Sequence, residues 1–135
     1  MRGMARPTDD ALAAAWHDLM GRYQRLTCTL DRELGAAHDL SASEFEVLQQ
    51  LYSTREGKLK MAHLGERAHL SQSALSRLVS RLDAAGLVTR AACADDRRSV
   101  FAEITRAGRT RYEEAKPTQR RILREGASDC PAILA

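Results

Sequence analysis

The stretch MAHLGERAHLSQSALSRLVSRLDAAGLVTR, residues 61–90, decides the fold. Met61, Leu64 and Ala68 recur at helical steps and predict a short helix over residues 61–68. Ser71 is a good N-cap for the next helix, and Leu70 is placed to staple onto Leu75. Leu75, Leu78, Val79 and Leu82 then make one apolar helical face, ended by Gly86 as a left-handed cap. Two short helices meeting across His69, Leu70 and Ser71 have helix-turn-helix spacing.

Downstream the character changes. Leu87, Val88 and Thr89 read as a short strand, residues 92–98 as a polar tip, and residues 99–104 as a returning strand. In that strand Val100, Ala102 and Ile104 alternate with Phe101 and Glu103. A helix-turn-helix followed at once by a hairpin with a charged tip is a winged helix. Its second helix suits the major groove of DNA, and its hairpin suits the backbone or the adjacent minor groove.

Upstream, Ser41 and Glu44 form a capping box with Leu40 and Phe45 as its staple. The apolar face then runs through Leu48, Leu51 and Tyr52 until residues 54–57 break it. Leu12, Trp16, Leu19, Tyr23, Leu26, Leu30 and Leu34 lay one stripe along a helix over residues 8–37. A helix that long in so small a chain cannot bury its whole stripe against its own domain, which implies a second subunit. Thr105 caps a further helix carrying Tyr112 to about Lys116, where Pro117 marks a break or kink. The last stretch starts helical and basic and loses its pattern at Gly126.

Composition excludes more than it assigns. The 135 residues are 44% apolar and 29% charged, which suits one globular domain rather than a disordered chain. No stretch approaches the ~20 apolar residues of a membrane span, so no membrane partner is expected. Cys28, Cys93 and Cys130 are far apart and in no CxxC spacing, which suits a reducing, cytoplasmic location. His17, His38, His63 and His69 lack metal-ligand spacing, so neither a metal nor any other cofactor is expected. There is no Gly-rich phosphate loop, no GxSxG, no HExxH and no plausible Cys–His pair, so no catalytic residue is assigned and the chain does not read as an enzyme.

The net charge of +3 is modest, but its distribution is not even. Residues 72–111 hold eight arginines against four acids. With the apolar face turned inward, Gln72, Ser73, Ser76, Arg77, Ser80 and Arg81 face outward, and no carboxylate interrupts them before Asp83. An acid-free face fits a polyanion, whereas a generic solvated helix mixes signs. Gln72, Ser73, Ser76 and Arg77, next to Ser71 at the helix start, are the candidates for base edges. Arg81 and Arg90 suit phosphates. On the wing tip Asp95 and Asp96 precede Arg97 and Arg98, and an Asp that orients an Arg prepares it for a narrow minor groove.

Residues 40–108 resemble the MarR family of winged-helix regulators. The resemblance is carried by residues 40–44, 64–82 and 86–88, by Asp96 through Val100, and by Ile104 through Gly108. It implies that Arg98 is the minor-groove arginine, Asp96 its ion-pair partner and Arg97 a further wing contact. It also implies a homodimer with interlocked terminal helices, whose two recognition helices lie about one DNA turn (~34 Å) apart on a palindromic double-stranded operator. The expected architecture is mainly α with a small β-hairpin wing. An N-terminal dimerisation helix occupies 1–38, the winged helix-turn-helix 39–104, and C-terminal dimerisation helices, shorter than is usual for the family, 105–135.

The resemblance further implies a small anionic or phenolic effector, bound between the dimerisation helices and the winged helix, that releases the DNA. Trp16, His17 and Met20 could line such a site, although Trp16 and Met20 read more simply as dimer core and His17 as surface. Cys93, in the wing near arginines, could be oxidisable; it reads more simply as a small residue at a strand end. The expected function is a transcription regulator, in the repressor sense. The competing reading is an interaction module or adaptor that has kept the fold without sequence-specific DNA binding.

Overall fold

Thr8 starts the first helix, its hydroxyl accepting from the Ala11 amide at 3.1 Å. The computed structural model describes residues 6–92 and 100–127. Its elements run α1 (Asp9–His38), α2 (Ala42–Tyr52), β1 (Lys58–Lys60), α3 (Met61–Ala68), α4 (Gln72–Ala84), β2 (Val88–Ala92), β3 (Val100–Ile104) and α5 (Arg106–Ala127). The capping box at Ser41 and Glu44 is formed in both directions, and Leu40 and Phe45 beside it are buried.

Three corners share one geometry. Asp39, His69 and Gly86 follow α1, α3 and α4 in the left-handed region, with φ of 54°, 58° and 78°. The next residue then donates its amide back into the helix: Leu70 to Gly65 and Leu87 to Leu82, five residues back at 2.9 Å each, and Leu40 to Leu34, six back at 3.3 Å. This is the Schellman arrangement, which satisfies the last helical carbonyls and folds a leucine back over the helix end. At α3 it turns the chain directly into the Ser71 cap of α4 and so makes the helix-turn-helix.

The three strands order β1-β3-β2, all antiparallel. Val88 pairs with Ile104 and Ala92 with Val100, so the hairpin forms in the expected register of inward Ala102 and Ile104. Strand β1 was not expected. It forms because the Gly57 carbonyl accepts from the Ile104 amide at 2.8 Å, which lays Lys58–Lys60 beside β3. Gly57 itself takes φ +72°, a conformation open to glycine.

One core joins these elements. Leu34, Leu40, Phe45, Leu48 and Leu51 meet Leu64, Leu75, Val79, Leu82 and Val88, all buried. Helix α5 closes it, burying Tyr112, Ala115 and Ile122, with the Tyr112 ring stacked 5.2 Å from that of Phe45. At Pro117, where a break or kink was expected, the helix does not break; α5 runs through it to Ala127. Buried side chains on both sides of the proline hold the helix against α1 and α2. Thr118 adds a hydroxyl at 3.0 Å from His38 Nε2, and Arg121 an ion pair to Glu33 at 2.7 Å.

The stripe on α1 is buried only at Leu30 and Leu34. Leu12, Trp16, Leu19, Met20 and Tyr23 are exposed in the single chain. Cys28 is also exposed.

Candidate nucleic-acid interface

The outward face of α4 is as its sequence implies. Leu75, Leu78, Val79 and Leu82 are buried, whereas Gln72, Ser73, Ser76, Arg77, Ser80 and Arg81 are exposed. Ser71 acts as the cap, its hydroxyl accepting from the Ala74 amide at 3.2 Å with the Ser73 hydroxyl 3.4 Å away. Among the described residues Arg77 and Arg81 enter no ion pair. Both side chains are exposed, along a cavity that Asp31 of α1 also lines.

Two candidates are held in specific places. Arg90 reaches from β2 back across α4, donating to the Ser76 carbonyl and, at 3.0 Å, to the Ser80 hydroxyl. Its guanidinium thus lies over the same face as Arg77 and Arg81 rather than on a separate backbone-facing surface. The Gln72 amide folds back over α3, donating to the Met61 carbonyl at 3.4 Å. Gly65 makes room for it, since a Cβ there would lie 2.4 Å from the Gln72 nitrogen.

Lys60 was missed by sequence reasoning. It shares a cavity of about 430 Å³ with Gln72, Ser76 and Arg90, which extends the basic surface from α4 to the start of α3. The signal was present in Lys58-Leu59-Lys60, but only the β1–β3 pairing brings this segment beside the recognition helix.

Asp96, Arg97, Arg98 and Cys93 lie outside the described residues. Trp16, His17 and Met20 sit on the exposed part of α1. The cavity that α1 shares with α2, α5 and the helix-turn-helix begins further along, at Tyr23, and encloses about 500 Å³. No group of three or more His, Cys, Asp or Glu that could hold a metal occurs among the described residues. None of the described helices is long and apolar enough to cross a membrane.

A helix-turn-helix whose second helix carries no acid before Asp83, backed by a three-stranded antiparallel sheet, defines a winged helix-turn-helix. The MarR family model matches residues 38–99, just under half of the chain. The transcriptional repressor YetL of Bacillus subtilis is 27% identical over 82 residues, 61% of this chain and 49% of that protein. The chain therefore matches about half the length of that relative.

Sco3205, a MarR family regulator from Streptomyces coelicolor solved in complex with DNA, superimposes with a TM-score of 0.82 at 25% identity. That match covers 96% of this chain and 81% of the other. BpsR of Bordetella bronchiseptica, whose DNA binding is regulated by 6-hydroxynicotinic acid, matches with a TM-score of 0.75 at 25% identity. It covers 84% of this chain and 83% of that one.

Proposed function

We propose that this protein is a transcriptional repressor that binds a palindromic double-stranded operator as a homodimer and leaves it when a small molecule binds. The observation that carries the reading is the exposed face of α4, free of acids before Asp83, with Arg77 and Arg81 in no ion pair among the described residues and Arg90 drawn over it from β2. Base edges fall to Gln72, Ser73, Ser76 and Arg77, and phosphates to Arg81, Arg90 and Lys60. Asp96, Arg97 and Arg98 serve the minor groove by family resemblance.

The apolar residues exposed on α1 form the dimer contact, which sets two recognition helices ~34 Å apart. Terminal helices on either side of a winged helix-turn-helix unit over 39–104 follow from the same reading. The known regulation of BpsR by a small molecule supports effector release here, and the cavity between α1, α2 and α5 is its seat.

The test is selection from random duplexes at two salt concentrations, with Arg77→Ala and Arg98→Ala alongside the wild type. The expected result is a palindromic site whose affinity falls steeply with salt and whose sequence preference weakens in both variants. Weak binding without sequence preference, unchanged by either substitution, would overturn the reading in favour of an interaction module.

A further inference from the structure

The cavity between α1, α2, α5 and the helix-turn-helix corner has an unexpected charge. Its ionisable neighbours among the described residues are Glu46, His69 and Tyr23, with no lysine or arginine among them. Leu30 and Leu70 give it apolar walls. Its volume of about 500 Å³ falls within the ~300–1,000 Å³ usual for small-molecule pockets.

The polar groups are arranged in one chain. Glu46 accepts from the amides of Gln50 and Gln49 through its two carboxylate oxygens, at 2.8 and 3.4 Å. The guanidiniums nearby bind the far ends of those amides: Arg67 on Gln50 Oε1 at 3.1 Å, Arg120 on Gln49 Oε1 at 2.7 Å. Neither arginine lines the cavity. A carboxylate accepts about four hydrogen bonds, so Glu46 keeps acceptor capacity for a ligand. On the opposite wall Gln119, only 8% exposed, gives its oxygen to Arg120, while its amide nitrogen donates to no described residue.

We propose that this cavity takes a small aromatic amine in its ammonium form, with the cation on the Glu46 carboxylate and an acceptor on the ligand meeting the Gln119 amide. A carboxylate ligand would lose its water beside the Glu46 carboxylate with no described lysine or arginine on the wall to meet it, which disfavours the anion. The cavity joins α1 and α5 to the corner that orients α4, so a bound amine sets how the helix-turn-helix sits on the dimer helices. This proposal rests on the effector reading above for its regulatory consequence, but not for binding itself.

The test compares tyramine with 4-hydroxyphenylacetate, the same phenol carrying an ammonium or a carboxylate. Calorimetry on the intact protein at neutral pH is expected to give at least tenfold tighter binding for tyramine. Glu46→Gln is expected to abolish that preference, with its thermal melt checking that it folds. Ala42→Leu, which fills the cavity without touching its charges, is expected to weaken tyramine binding. Equal or tighter binding of the carboxylate overturns the assigned ligand class and leaves the effector reading standing. Binding of neither probe at millimolar concentration, or tyramine binding indifferent to both substitutions, overturns the site. Failure to select any operator would sink the regulator reading alone, because calorimetry needs no DNA.

Discussion

Arg90 shows how one residue can be legible in kind and not in place. Its position after Val88 marks it as a cation on the wing, but its contacts lie 10 and 14 residues away, on Ser80 and Ser76. Sequence pattern carries no such non-local information. The clamp fixes a charge that would otherwise swing on a long side chain, so less freedom is lost when DNA arrives. Arg90→Ala is expected to lower operator affinity about tenfold and to reduce the salt slope by about one, as for loss of one phosphate contact. Arg90→Lys should restore the slope and only part of the affinity, because an ammonium cannot reproduce the forked contact. Fluorescence anisotropy across a salt series measures both. Gly108 is a second such residue, buried where α5 begins. A Cβ there would lie 2.1 Å from the Leu87 carbonyl oxygen, backbone that has no rotamer to yield. Gly108→Ala is expected to destabilise the fold by about 2–3 kcal/mol, the range of core overpacking, read from chemical denaturation.

Helices with strong caps and long periodic faces were readable, and their boundaries agree closely: the capping box of α2 and the faces of α3 and α4 are local chemistry. Two features were not. β1 is only three residues long, too short to show a period, and exists through its pairing with β3. Pro117 carries a local stop signal that tertiary packing overrides. The proline removes one helical hydrogen bond, yet Tyr112 and Ala115 before it and Gln119 and Ile122 after it are all buried. Those contacts hold the backbone helical at a cost that propensity puts at about 3 kcal/mol in a helix interior. Pro117→Ala should return part of that. The proline also restricts the unfolded chain, which offsets about 0.4–1 kcal/mol of the gain. A net stabilisation of about 1–2 kcal/mol, seen as a higher denaturation midpoint at unchanged slope, is expected. A destabilised variant would mean that the proline ring itself fills space against α1.

At the scale of the whole molecule, α1 is the element the isolated chain cannot explain. Leu12 is 53% exposed, Trp16 63%, Met20 50% and Tyr23 71%, on successive turns of one helix. A contiguous apolar face of this kind is uncommon on a monomer in water. Its periodicity was plain in the sequence, and its length beyond what one small domain can cover is what pointed to a second subunit. In the homodimer proposed above, a second copy would supply a matching stripe by symmetry, and two α4 faces would then meet one duplex together. Binding one half-site after the other is already held raises the effective concentration of the second event, so dimer and operator affinity are linked. Trp16→Glu with Leu19→Glu places two carboxylates on the stripe without touching the core around Leu34. Light scattering is expected to show a 15.0 kDa particle in place of twice that mass. Operator affinity should fall on the order of 100-fold, while binding to an isolated half-site stays close to that of the wild type. A double variant that remains dimeric and binds the full palindrome as before would remove α1 from the interface.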